Sequence, residues 1–286
     1  MKKILALLTA VSTMALAQPV EVLLRCDDIG MCHTVNIALM RVLEKKIPVS
    51  TSVMFACPWY QEAVEILRAH PEVSVGVHLT LNAEWKNYRW GPVAGRTAVP
   101  SLVDSLGYFF PSRDRFFAHH PALNEVETEL RAQIDRAVGT GLRIDYVDYH
   151  MGTAVDRPDF RALVERLARE YRLGISRYFG EVDVEGLYGT SPGSKPDTLV
   201  ALARGLKAGQ TRLMVFHIGL QTPEMDALVD LNSFGLQEMS KHRQGELTAL
   251  TSERFLAALN EVGAKLITYR DLKEKMGVEG LKRPSE

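Results

Sequence analysis

Short, nearly continuous apolar runs alternate along the chain with stretches whose apolar residues recur every three or four positions. Val20–Cys26, Val49–Phe55, Val73–Leu79, Tyr146–Asp148, Gly174–Arg177, Leu213–His217 and Lys265–Tyr269 predict strands. Their weak in-out alternation is that of parallel strands covered on both faces. Between them, Val126, Leu130, Ile134 and Ala137 predict a helix capped by Asn124. Phe160, Leu163, Val164, Leu167 and Tyr171 predict another, with Pro158 in its first turn. Phe255, Leu256, Leu259 and Val262 predict a late one, stopped by Gly263. Repeated βα units imply an α/β architecture, either a doubly wound sheet or a (β/α) barrel. No repeat, low-complexity tract or linker divides the chain.

One stretch breaks the rhythm. Residues 82–121 separate a strand from the next helix and hold Trp85, Tyr88, Trp90, Tyr108, Phe109, Phe110, Phe116 and Phe117. Two readings stand together: a satellite core beneath a long loop, and a lid or ligand wall.

The beginning differs in kind. Met1-Lys2-Lys3, an apolar run from Ile4 to about Leu16, and Ala15-Leu16-Ala17 have the three-part form of a secretory signal peptide at 1–17. The run is shorter than the roughly 20 apolar residues that span a bilayer. The expectation is an exported protein, periplasmic or extracellular, with no integral membrane span after cleavage and one domain over 18–280. Its 286 residues, 46% hydrophobic and 24% charged, exclude disorder. A net charge of −1 offers no general field for nucleic acid, and no nucleic-acid partner is expected. Cys26, Cys32 and Cys57 are too few for a disulfide framework. A Cys26–Cys57 bridge stays open, but buried small hydrophobes are the expectation.

The chemistry gathers where apolar runs end. Leu23-Leu24-Arg25-Cys26 leads into Asp27-Asp28, Val75-Gly76-Val77 into His78, Tyr146-Val147 into Asp148-Tyr149-His150, and Val215-Phe216 into His217. In parallel α/β folds the carboxyl ends of strands converge on one face. One carboxylate with two imidazoles is a normal ligand set for a divalent cation. A neighbouring aspartate could then take a proton from an activated water. A lone Asp-Asp is commonly a turn or cap, and a lone His commonly a satisfied core residue. Four such strand ends in one chain make a stronger pattern.

Arg25-Cys26-Asp27-Asp28-Ile29-Gly30, Gly76-Val77-His78-Leu79-Thr80-Leu81 and Val147-Asp148-Tyr149-His150 resemble the N-A-D-D-F-G, G-x-H-L-x-L and D-x-H motifs of the YdjC family of carbohydrate deacetylases, which includes chitooligosaccharide and hopanoid-biosynthesis branches. Phe216-His217-Ile218-Gly219 resembles its H-P-G element, and Arg243-x-x-Glu246-Leu247 its R-x-x-E-L. The likeness runs in order from Val20 to Leu272.

The resemblance implies a single-domain distorted (β/α) barrel of the polysaccharide-deacetylase type. It implies one divalent metal ion held by Asp28, His78 and His150, zinc or magnesium first, with manganese, cobalt or nickel as alternatives. Asp27 would be the general base, His217 the acid toward the leaving amine, and Asp148 the residue orienting an imidazole. The implied partner is an N-acetylated carbohydrate substrate: an amino sugar, an oligosaccharide or a glycolipid head group. A homodimer is admitted. Gly152 stands where the family commonly has a further histidine, Ile218 replaces a proline, and Cys26 replaces an alanine. Hydrolysis of another bond on the same scaffold and a non-catalytic carbohydrate-binding role are the competing readings.

Overall fold

The computed structural model describes residues 19–284, so the leader expected at 1–17 lies outside the described residues. Among the described residues, eight strands form one sheet: β1 Val20–Ile29, β2 Ser50–Val53, β3 Ser74–Leu79, β4 Ile144–Tyr149, β5 Gly174–Ile175, β6 Val182–Asp183, β7 Arg212–Phe216 and β8 Ala264–Ile267. Their order is β5-β4-β3-β2-β1-β7-β6, and each pairing is parallel. One edge of β1 is shared: β8 pairs with its first residues, Val20 to Leu23, and β2 takes over from Arg25. The sheet curls into a half-barrel, with its outer strands β5 and β6 not joined to each other among the described residues.

Ten α-helices among the described residues surround it. They are α1 His33–Leu43, α2 Tyr60–Arg68, α3 Arg113–Ala118, α4 Leu123–Gly139, α5 Pro158–Glu170, α6 Lys195–Arg204, α7 Pro223–Asp226, α8 Met239–Leu250, α9 Glu253–Glu261 and α10 Tyr269–Met276. Strand alternation splits the interior in two. Leu24 and Cys26 of β1 join Val77 and Val147 under Val35, Leu130, Leu163 and Phe255 of the helices. Leu23 points the other way, into a smaller cluster with Tyr146, Phe179, Leu213, Ile267, Tyr269 and Leu272. That second cluster plugs the concave side beneath the strand ends. Gly76 makes room for it, because a Cβ there would lie 2.4 Å from Cζ of Tyr146.

The strands expected from sequence are present with shifted ends. Ser176 and Arg177 leave β5 because Arg177 turns into the left-handed region at φ 70°. Thr268 ends β8 by capping α10, its side chain accepting from the Asp271 N–H. β6 went unpredicted: two residues, partly exposed, carry no readable period. The Asn124 cap is corrected. α4 begins at Leu123 and has no side-chain cap. Ser101 Oγ accepts the Ala122 N–H at 2.9 Å, and Glu125 accepts from Ser101, so a neighbouring segment satisfies this helix start.

The buried aromatics of the 82–121 stretch join the main core instead of forming a satellite of their own. Trp90, Phe109 and Phe116 are buried in the core, while Glu84, Trp85 and Arg113 reach the concave side and line its cavity. All three cysteines are free and buried.

Candidate active site

The carboxyl end of β1 breaks strand alternation to place two adjacent acids together. Asp27 follows Leu23 and Arg25 onto the concave face. Regular pleating would then turn Asp28 outward under the helices. Instead Asp28 takes φ 62°, and the register against β2 slips between Cys26 and Ile29. This local strain brings both carboxylates to one side.

β3 and β4 supply the next pair. His78 lies opposite Asp148 in register, and its Nδ1 lies 2.8 Å from Asp148 Oδ1. With the proton on Nδ1, Nε2 is left facing Asp28 Oδ1 at 3.3 Å. His150 follows β4, just before Met151 and Gly152 reverse the chain at φ 52° and 75°. Its Nε2 lies 3.0 Å from Glu84 Oε2, which leaves Nδ1 facing the same Asp28 oxygen at 3.4 Å. Each imidazole is therefore oriented by a carboxylate on its far side.

Two guanidiniums complete the cluster. Arg25 donates to both oxygens of Asp27, at 2.7 and 2.8 Å, and to Ser176 Oγ at 2.6 Å. Its Nε also lies 3.3 Å from Asp148 Oδ2. Arg243, from α8, donates to Asp28 Oδ2 at 2.6 Å. These groups are almost wholly buried, with Asp28 only 1% exposed. Burial disfavours the charged ring of His150, but the carboxylates of Glu84 and Asp28 override it and raise its pKa to about 9. Burial likewise opposes the charged ring of His78, and Asp148 and Asp28 lift it well above its ordinary value. Asp28 is held well below the usual carboxylate range: burial opposes this, and Arg243 and the two histidines prevail.

The donor set fits a divalent cation. One atom each of Asp28, His78 and His150 lies within 4.8 Å of the others. Asp28 Oδ1, at their centre, is buried without a hydrogen-bond partner. A second trio, Asp27, His78 and Asp148, is equally close. There, however, Arg25 already occupies both oxygens of Asp27. Charge points the same way. Asp27, Asp28, Glu84 and Asp148 face only Arg25 and Arg243 within the network. In the metal-free protein the two raised imidazoles offset the remaining pair of negative charges, and a divalent cation would take the place of their two protons.

The cluster forms one wall of a cavity of about 690 Å³. His217, one residue beyond β7, lines the same cavity and sets its ring edge-on to Tyr188 at 5.5 Å. Asp27, Asp28, His78, His150 and His217 thus line one cavity, while Asp148 is fully buried behind His78 and does not reach it. Sequence reasoning assigned no role to Arg25, Glu84 or Arg243. Arg25 and Arg243 stood inside quoted motifs, while Glu84 had only its place in the aromatic stretch as a signal.

Comparison with known proteins adds a family. The profile of the family described as YdjC-like protein matches residues 21–261. A carbohydrate deacetylase of Geobacillus stearothermophilus is 28% identical, covering 87% of this chain and 96% of its own length. One from Enterococcus faecalis is 27% identical, covering 88% and 98%. The crystal structure of an E. faecalis protein described as a candidate cellobiose-phosphate cleavage protein superposes with a TM-score of 0.72 at 24% identity, over 89% of this chain and 99% of that one. It shares the fold.

Proposed function

Because the chain belongs to the YdjC-like protein family, we propose that it is an exported, metal-dependent carbohydrate deacetylase that removes the acetyl group from an N-acetylated amino sugar, oligosaccharide or glycolipid head group. The observation that carries this reading is the three-donor cluster of Asp28, His78 and His150 opening on the 690 Å³ cavity. The names of the Geobacillus and Enterococcus relatives give the substrate class. The basic and apolar start of the chain motivates export, and detection of the protein only in the cytosolic fraction would remove that part.

Asp28, His78 and His150 would hold the cation, with Asp148 and Glu84 fixing which nitrogen each ring presents. When bound, a divalent cation supplies Lewis acidity, polarising a carbonyl and making water easier to deprotonate. Asp27, aligned by the fork of Arg25, accepts the proton of the water that attacks the acetamide carbon. His217 gives a proton to the amine nitrogen as its bond to that carbon breaks, leaving acetate and a free amino sugar. Buried carboxylates and guanidiniums around the reacting atoms are fixed in advance, so little reorganisation is needed during the reaction.

The test is acetate release by the metal-loaded protein from N-acetylated sugars, monomer to oligomer, beside an Asp28→Ala control. The expected result is release that vanishes in the control together with metal binding. Bound metal without acetate would move the reading to another scissile bond. Neither metal nor acetate would favour a carbohydrate-binding protein.

A further inference from the structure

Lys195 opens α6, shortly after Tyr188 in the chain, and is 0% exposed. Its Nζ donates to Leu187 O and Tyr188 O, both at 2.8 Å, and to Glu246 Oε1 at 3.0 Å, which uses all three ammonium donors. The other oxygen of Glu246 accepts the backbone N–H of His217 at 2.6 Å. A ring of contacts closes here. Lys195 holds the backbone of Tyr188, Glu246 holds that of His217, and the two side chains meet edge-on in the cavity. Gly245 lets α8 come near enough, since a Cβ there would lie 2.7 Å from Pro192 O. Glu246 also sits three residues after Arg243, one turn along the same face of α8. That face therefore grips Asp28 and His217 together.

A buried ion pair gives no more stability than well-packed apolar residues of the same size. Its presence in a cavity wall therefore calls for another reason. We propose that Lys195 is a positioning residue for the proton-donating side of the site: through Glu246 and the Tyr188 backbone it fixes the ring of His217 relative to the metal-ligand cluster. This rests on the deacetylase reading for the role of His217, and on the geometry alone for the ring of contacts.

Lys195→Met, of similar length and without charge, tests it in the full-length metal-loaded protein. Lys195→Met/Glu246→Gln leaves no lone buried charge and serves if the single variant does not fold. Two readouts are taken. In acetate release, kcat should fall at least about tenfold, with KM within about threefold of wild type, because misplacing a reacting group costs rate more than binding. In a ¹H–¹³C histidine spectrum, the His217 resonance, identified by its loss in His217→Gln, should move toward the value it takes in Tyr188→Leu as the ring current of Tyr188 is lost. A folded variant with wild-type kcat and an unmoved His217 resonance overturns the proposal. If wild type releases no acetate, the deacetylase reading fails, while the resonance still decides whether Lys195 holds the ring.

Discussion

At the scale of single residues, the proposed mechanism separates holding a cation from moving protons. Asp27→Asn keeps the shape but loses the proposed proton acceptor, together with one of the two Arg25 contacts because an amide nitrogen cannot accept, so kcat should fall by about 10²–10⁴-fold. Its metal content, measured by elemental analysis, should remain that of wild type. An active Asp27→Asn enzyme would remove Asp27 as the base. The two imidazoles give a second expectation. His150 keeps its proton up to about pH 9 in the metal-free protein, and His78 is raised in the same direction. A cation must displace both, so binding at pH 7 should release about two protons, read by calorimetry in buffers of different ionisation enthalpy. The sign for stability follows. A folded-state pKa raised from 6.5 to about 9 adds stability that is complete below pH 6.5 and lost as the pH rises through 9. The melting temperature of metal-free protein should fall over that window. Asp28, His78 and His150 were legible because each stands at the end of an apolar run. Glu84 and Arg243 were not, because their partners lie in distant segments and no local period marks them.

At the scale of elements, the sequence predicted strands and helices by period but could not foresee where packing overrides it. β1 shows the limit: an apolar run ending in Asp-Asp reads as a strand and a turn. The left-handed Asp28 that unites the two acids depends on the register with β2. α4 shows it again, since Asn124 is a good local cap made redundant by Ser101. Gly76 is a case with a measurable cost. The Tyr146 ring that fills its place is bonded to Ser52 at 2.9 Å and packed on Tyr269 at 4.1 Å between ring centres, so it cannot swing aside. Gly76→Ala should lower stability by about 1–3 kcal/mol in denaturant unfolding. An unchanged midpoint would show that β3 and β4 separate more easily than this packing implies.

At the scale of the whole molecule, the α/β class was readable from alternation, and the family from motifs spread over most of the chain. The barrel-type curl followed from the resemblance and not from the periodicity, because β8 joins β1 on an edge that β2 also uses. This makes the C-terminal segment structural. Tyr269 donates its N–H to Ser50 Oγ, Arg270 bonds Asp145 at 3.0 Å, and Leu272 fills the inner cluster. A chain ended after Gly263, lacking β8 and α10, should lose its cooperative melting transition, followed by circular dichroism. Retained cooperativity would mean that the inner cluster is dispensable.

The shared edge of β1 also sets an order of events. A ribosome making this chain delivers the strand that carries both aspartates first among the strands described, and two of its three partners, β7 and β8, near the end. Until then the first half of β1, Val20 to Leu24, stays unpaired, and Ser176, which accepts from Arg25, lacks its bond to the Tyr269 hydroxyl at 2.7 Å. Folding therefore depends on contacts of very long sequence separation, which form slowly. The growing chain exposes a sticky apolar strand through most of its synthesis, and this leaves ample time for a chaperone or a protease to reach it.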